Sequence, residues 1–141
     1  MTRGLKTATM VAAIATLITA TPVADTTQAQ GRQPGTRRTP LQQADLSTAG
    51  REVIQVRVDF DPGFVAPWHT HPGEEVIYVI EGTIEYQVQG KPPKTYNAGQ
   101  VLIVPYGTPH SARNVGAANA AELATYIVEK GKPLITLATQ K

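Results

Sequence analysis

The chain has 141 residues, enough for one domain and a removable segment but too few for two separate cores. Its 41% hydrophobic and 17% charged residues argue for a globular protein, and a net charge of +2 leaves no electrostatic footprint for nucleic acid. With no cysteine, disulfide frameworks, thiolate zinc sites and cysteine nucleophiles are excluded together, and only three histidines are present.

Residues 1–29 read as a Sec-type export signal. Arg3 and Lys6 precede a short apolar stretch from Met10 to Ile18, and small polar sequence follows through Thr21, Pro22, Ala24 and Ala29. A spanning helix needs roughly 20 consecutive apolar residues, and the threonines, Pro22 and Asp25 break this run. Cleavage is expected near residues 24–29, giving a periplasmic or secreted protein with no membrane attachment afterwards. Residues 30–49 read as a flexible lead-in, polar from Gln30 to about Thr39, and then a short edge element whose only large apolar residues are Leu41 and Leu46.

The remaining domain, residues 50–138, carries an all-β pattern. Ile54, Val56, Val58 and Phe60 alternate with polar residues, the period-two signature of a half-buried strand, and Asp61-Pro62-Gly63 ends it. An extended run from Val65 to His71 stops at Pro72-Gly73. Glu75 to Ile80 is apolar at both parities and needs cover on both faces. Ile84, Tyr86 and Val88 alternate with Glu85, Gln87 and Gln89; Val101 to Val104 is a buried run, and Pro105 to Pro109 is a tight loop. His110 to Val115 and Leu123 to Val128 complete the strong strands, and Leu134 to Leu137 offers one more. Alanines from Ala117 to Ala124 could pass for a helical turn, but Asn119 and β-branched Thr125, Ile127 and Val128 argue against it. About eight short strands with regular turns mean a β-sandwich or closed barrel.

All three histidines belong to one constellation. His69 and His71 are two apart on an expected strand, so both imidazoles share a face, with Cα atoms about 6.6 Å apart. Glu75 follows just beyond the turn, where a hairpin returns its carboxylate beside them, and a barrel can place His110 opposite. Three imidazoles and a carboxylate form a ligand set for one divalent first-row metal, with iron, manganese, nickel, copper and zinc all open. The alternative is three histidines that are merely exposed or satisfied in the core. Their concentration in one pattern, with a carboxylate at matching range, weighs against it.

Residues 63–82, from Gly63 to Gly82, follow G-x5-H-x-H-x3-E-x6-G, and residues 99–114, from Gly99 to Asn114, follow G-x5-P-x-G-x2-H-x3-N. In both the chain closely resembles the two motifs of the cupin superfamily, and the short segment between them resembles small single-domain cupins. The resemblance implies a double-stranded β-helix, or jelly-roll, barrel and metal ligands at His69, His71, Glu75 and His110. Gly63, Gly82, Gly99 and Gly107 stand where strands reverse, positions that favour φ > 0.

The family spans many reactions, so function must be read from the lining. The residues expected to face inward with the ligands are Val65, Pro67, Ile77, Val79, Ala112 and Asn114, a largely apolar wall in which Glu75 is the only carboxylate. That wall suits a small aromatic or carbonyl compound. It resembles quercetin-dioxygenase-like cupins, in which the ligand glutamate, here Glu75, doubles as the base. Tyr86, Tyr106 and Tyr126, with Trp68 and Phe64 at the rim, are the accessory candidates. An exported oxygenase or related oxidoreductase is one reading, a non-enzymatic metal- or ligand-binding module the alternative, and a storage role a weaker third. Apolar outer stripes at Val76, Tyr78 and Ile80 and at Val101 and Ile103 predict a homodimer.

Overall fold

Alternating side chains and glycine-marked reversals produce two five-stranded sheets in a computed structural model that describes residues 35–140. The expected signal segment, 1–29, and the first residues of the lead-in, 30–34, lie outside the described residues. The strands are β1 (Thr36–Asp45), β2 (Arg51–Phe60), β3 (His69–Thr70), β4 (Gly73–Glu81), β5 (Thr83–Val88), β6 (Lys94–Asn97), β7 (Val101–Val104), β8 (His110–Asn114), β9 (Ala120–Glu129) and β10 (Thr136–Leu137). One sheet has the order β1-β2-β9-β4-β7 and the other β10-β3-β8-β5-β6, with the named strand pairs antiparallel. This is the all-β double-stranded β-helix barrel that the motifs imply.

The core forms where the inward parities of the two sheets meet. Val56, Val58 and Phe60 from β2, Ile77 and Val79 from β4, Ile84 from β5, Leu102 and Val104 from β7, and Ala124 and Val128 from β9 are buried together. Burial of each large aliphatic or aromatic side chain stabilises the fold by about 1.5–3 kcal/mol, so the barrel does not depend on its polar site for cohesion. The four expected turn glycines all have positive φ, from 63° at Gly107 to 86° at Gly99. Asn114 closes β8: its Nδ2 donates to the carbonyls of Phe60 (3.0 Å) and Ala118 (2.8 Å), and its Oδ1 accepts from the Gly116 amide (2.9 Å).

Three segments depart from the sequence pattern. The lead-in is already strand from Thr36, because backbone pairing with β2 does not require apolar side chains; Arg37 to Asp59 (3.1 Å) and Gln43 to Glu52 (2.6 Å) add cross-strand contacts. The expected run from Val65 to His71 is regular strand only at His69–Thr70, with an isolated bridge from Val65 to Arg113. Pro67 and Pro72 supply no amide hydrogen to a ladder. β6 has no alternation to announce it, since only Tyr96 among its four residues is even partly buried, and it forms by pairing with β5.

Candidate metal centre

β3 is too short to orient a site by itself, and its neighbours do so. His69 pairs across to His110 on β8 and to Leu137 on β10. His71 lies just past the strand, its carbonyl accepting from the Gly107 amide at 3.2 Å, so the tight Pro105–Pro109 loop fixes both His71 and the start of β8. β4 then runs back between β7 and β9 and brings Glu75 inward at the level of Val104 and Tyr126.

Each imidazole has its Nδ1 on a backbone carbonyl: His69 on Pro67 (2.7 Å), His71 on Leu134 (2.6 Å) and His110 on Thr108 (3.0 Å). A carbonyl can only accept, so each Nδ1 carries the proton and each Nε2 presents a lone pair. One ring nitrogen from each histidine lies within 4.8 Å of the other two. Glu75 Oε2 is 3.1 Å from His110 Nε2 and 3.4 Å from His71 Nε2. Those contacts are poorly aligned for hydrogen bonding: His71 Nε2 and Glu75 Oε2 are buried without a hydrogen-bond partner among the described residues. Buried acceptors that converge without a donor are costly in a protein interior, and a cation satisfies them all. The donor set therefore fits a metal ion.

The electrostatics agree. Burial, reinforced by the neighbouring His110, pushes the His69 imidazole down to about 4, which keeps it neutral and able to ligate at neutral pH. Glu75 is buried against the Nε2 atoms of His110 and His71, so its carboxylate adds a charge that a cation would balance.

Around this cluster the structure sorts the accessory candidates. Tyr86 and Tyr126 are inside the barrel: the Tyr86 ring stacks 6.4 Å from His110, and the Tyr126 ring lies 4.7 Å from His71. Tyr106 is 51% exposed and donates outward to Glu129, so it does not belong to the site. Phe64 packs on Phe60 at 6.0 Å. Val65 and Pro67 are exposed rather than inward, because the proline-interrupted segment leaves the sheet. With Trp68, Glu85, Gln87, Ser111 and Arg113 they line an outer groove of about 230 Å³ that shares no residue with the histidine cluster.

Two inward polar residues depart from the expected apolar wall. Glu122 on β9 is buried and accepts a 2.6 Å hydrogen bond from Tyr86 Oη. Burial, with the charge of Glu75 added, pushes it up to about 8. Arg38 on β1 donates from Nη2 to Tyr126 Oη at 2.8 Å. Glu122 was legible in principle, because it shares the parity of Ala124, Tyr126 and Val128 once β9 is extended back to Ala120. Arg38 had no such signal, since it lies in a stretch with almost no apolar residue to set the phase.

A family model described as a cupin domain matches residues 56–128. Dimethylsulfoniopropionate lyase DddQ of Ruegeria pomeroyi is 35% identical over 51 residues, covering 36% of this chain and 25% of the lyase. Germin-like protein 1-1 of Oryza sativa subsp. japonica is 37% identical over 79 residues, covering 52% of this chain and 37% of that protein. The chain thus spans roughly a quarter to two-fifths of these curated relatives' length. Among solved structures, oxalate oxidase in complex with the substrate analogue glycolate superposes with a TM-score of 0.61 at 27% identity, over 76% of this chain and 57% of the oxidase.

Proposed function

Because this chain belongs to the cupin domain family, we propose that it is a metal-dependent oxidoreductase acting outside the cytoplasm on a small organic compound with a carbonyl or aromatic group. His69, His71 and His110 hold one divalent first-row ion, and Glu75 is the fourth ligand. The observation that carries this reading is the commitment of all three Nδ1 protons to backbone carbonyls, which leaves the Nε2 lone pairs and Glu75 converging without a donor. A bound ion there supplies Lewis-acid polarisation of a ligating oxygen and, for iron, manganese, nickel or copper, electron transfer.

The chain's own groups supply the proton chemistry. Glu75 is placed to serve as base where it contacts the histidines. Glu122 is kept protonated near neutral pH and is hydrogen-bonded to Tyr86, so the pair can hold a proton beside the ligand His110. An acid-base pair next to the ligands favours an enzyme over a passive binding module. The resemblance to oxalate oxidase supports oxidation, and the N-terminal pattern at residues 1–29 supports export, which fractionation of cells expressing the full chain would check. The apolar outer stripe supports a homodimer as the working form.

Elemental analysis of natively purified protein is the deciding experiment. One ion per chain is expected; less than a tenth of an equivalent in a folded, metal-supplemented sample sinks the metal assignment. A redox-active ion supports oxidation, whereas zinc alone supports the binding role. His71→Ala should lose most of the metal yet retain a cooperative thermal transition, because the apolar core is separate from the ligands.

A further inference from the structure

The five described arginines are not equivalent. Arg37, Arg51, Arg57 and Arg113 each form an ion pair with an aspartate or glutamate at 2.9–3.1 Å. Arg38 pairs with no carboxylate among the described residues. Its register partner is Val58, a core residue, so Arg38 occupies the inward parity of β1 while Arg37 points outward to Asp59. β1 is an edge strand, and the Arg38 side chain therefore enters the space between the sheets from the side.

There the guanidinium makes one side-chain hydrogen bond, Nη2 to Tyr126 Oη at 2.8 Å, and its carbon lies 5.7 Å from the centre of the Tyr126 ring. Nε is buried with no hydrogen-bond partner among the described residues. Tyr126 packs against the His71 ring at 4.7 Å, so a single aromatic side chain separates this cation from the ligand cluster. Glu75 and Glu122 are near enough to influence the charge electrostatically, but their hydrogen-bond-range contacts are with the histidines and with Tyr86. A guanidinium has five N–H donors in a planar fork, and burying it without an anion is costly.

We infer that Arg38 binds the carboxylate of the substrate, so that the site selects small carboxylic acids over neutral carbonyl compounds. This rests on the proposed metal site and adds a substrate class to it. A carboxylate's two oxygens match the guanidinium fork, and the charge-assisted bonds that result are stronger than neutral ones.

The test is calorimetric titration of zinc-loaded protein with glycolate and with the neutral isostere glycolamide, zinc content being measured first. Wild-type protein should bind glycolate at least tenfold more tightly than glycolamide. Arg38→Gln should lose about ten- to a hundredfold in glycolate affinity, the worth of a charged hydrogen bond, with zinc content and glycolamide binding unchanged. Arg38→Lys, which keeps the charge but not the fork, should fall between. Unchanged glycolate affinity in Arg38→Gln, or equal binding of the two probes by wild type, overturns the assignment. If Arg38→Gln does not fold, the wild-type preference and Arg38→Lys carry the comparison, and an Arg38→Lys affinity equal to wild type overturns the fork's role. Failure to take up zinc sinks the metal reading alone; the same titration of the zinc-free chain then reads Arg38 by itself.

Discussion

Glu122 stores a pH dependence that a single substitution isolates. In the fold it keeps its proton up to about 8, whereas an ordinary glutamate releases it near 4.5. Between those values Glu122 holds a proton in the fold that it releases in the unfolded chain, so its contribution to stability falls as pH rises from about 4.5 to about 8; His69, pushed down to about 4 from an ordinary 6.5, contributes the opposite slope below about 6.5. Glu122→Gln keeps an oxygen acceptor for Tyr86 and removes the titration. In metal-free protein, its melting temperature should match wild type near pH 4.5 and exceed it by several degrees near pH 8. Calorimetry at the two ends of that window checks this, and a gap that does not grow with pH refutes it. At the residue scale the converging side chains were legible because spacing places them: two histidines two apart, and a glutamate just past a Pro-Gly turn. Arg38 and Glu122 were hidden because their roles depend on which strand lies opposite.

Gly73 shows what holds an element in register. It stands between His71 and Glu75 at the start of β4, and a Cβ there would lie 2.0 Å from the Ile127 carbonyl oxygen and 2.6 Å from Val128 Cα. Both atoms belong to the backbone of β9, which is central in its sheet and cannot yield as a flexible side chain would. Gly73→Ala should therefore destabilise the protein by about 1–3 kcal/mol, the usual cost of overpacking, in urea unfolding. It should also weaken metal retention, because β4 carries Glu75 two residues further on. Wild-type stability together with wild-type metal content would show that the two strands can separate without disturbing the site. Strands with a buried parity, such as β2 and β9, were readable as elements. β6 and the first half of β1 were not, because backbone pairing alone makes them strands.

At the scale of the whole fold, the described residues leave a broad apolar surface uncovered. Tyr78 is 47% exposed, Val101 64% and Ile103 60%, and the register sets Val101 beside Tyr78 and Ile103 beside Val76. They continue across β4 to Leu123 on β9, on the outer side of one sheet. β1 cannot fold over them, since it occupies the opposite edge of that sheet from β7. Burial against a second copy removes such a patch from water, so light scattering on the processed chain should give twice the subunit mass. A paired substitution, Val101→Glu with Ile103→Glu, should give monomers that still melt cooperatively, because both side chains point away from the core. A monomeric wild type at micromolar concentration rules the dimer out.

By itself the sequence determined the all-β class, the reversals at glycine and the four side chains that converge in the candidate site. Those features are local: a two-residue period sets which side chain faces inward, and a turn residue sets where the chain can reverse. Tertiary structure decided the order of strands, which places β9 between β2 and β4 and β1 at the edge. Only that order brings Arg38 to Tyr126, across 88 positions in the chain, and Tyr86 to Glu122, across 36. Contacts at such separations arise when two sheets pack as wholes, and no short window of sequence contains both partners.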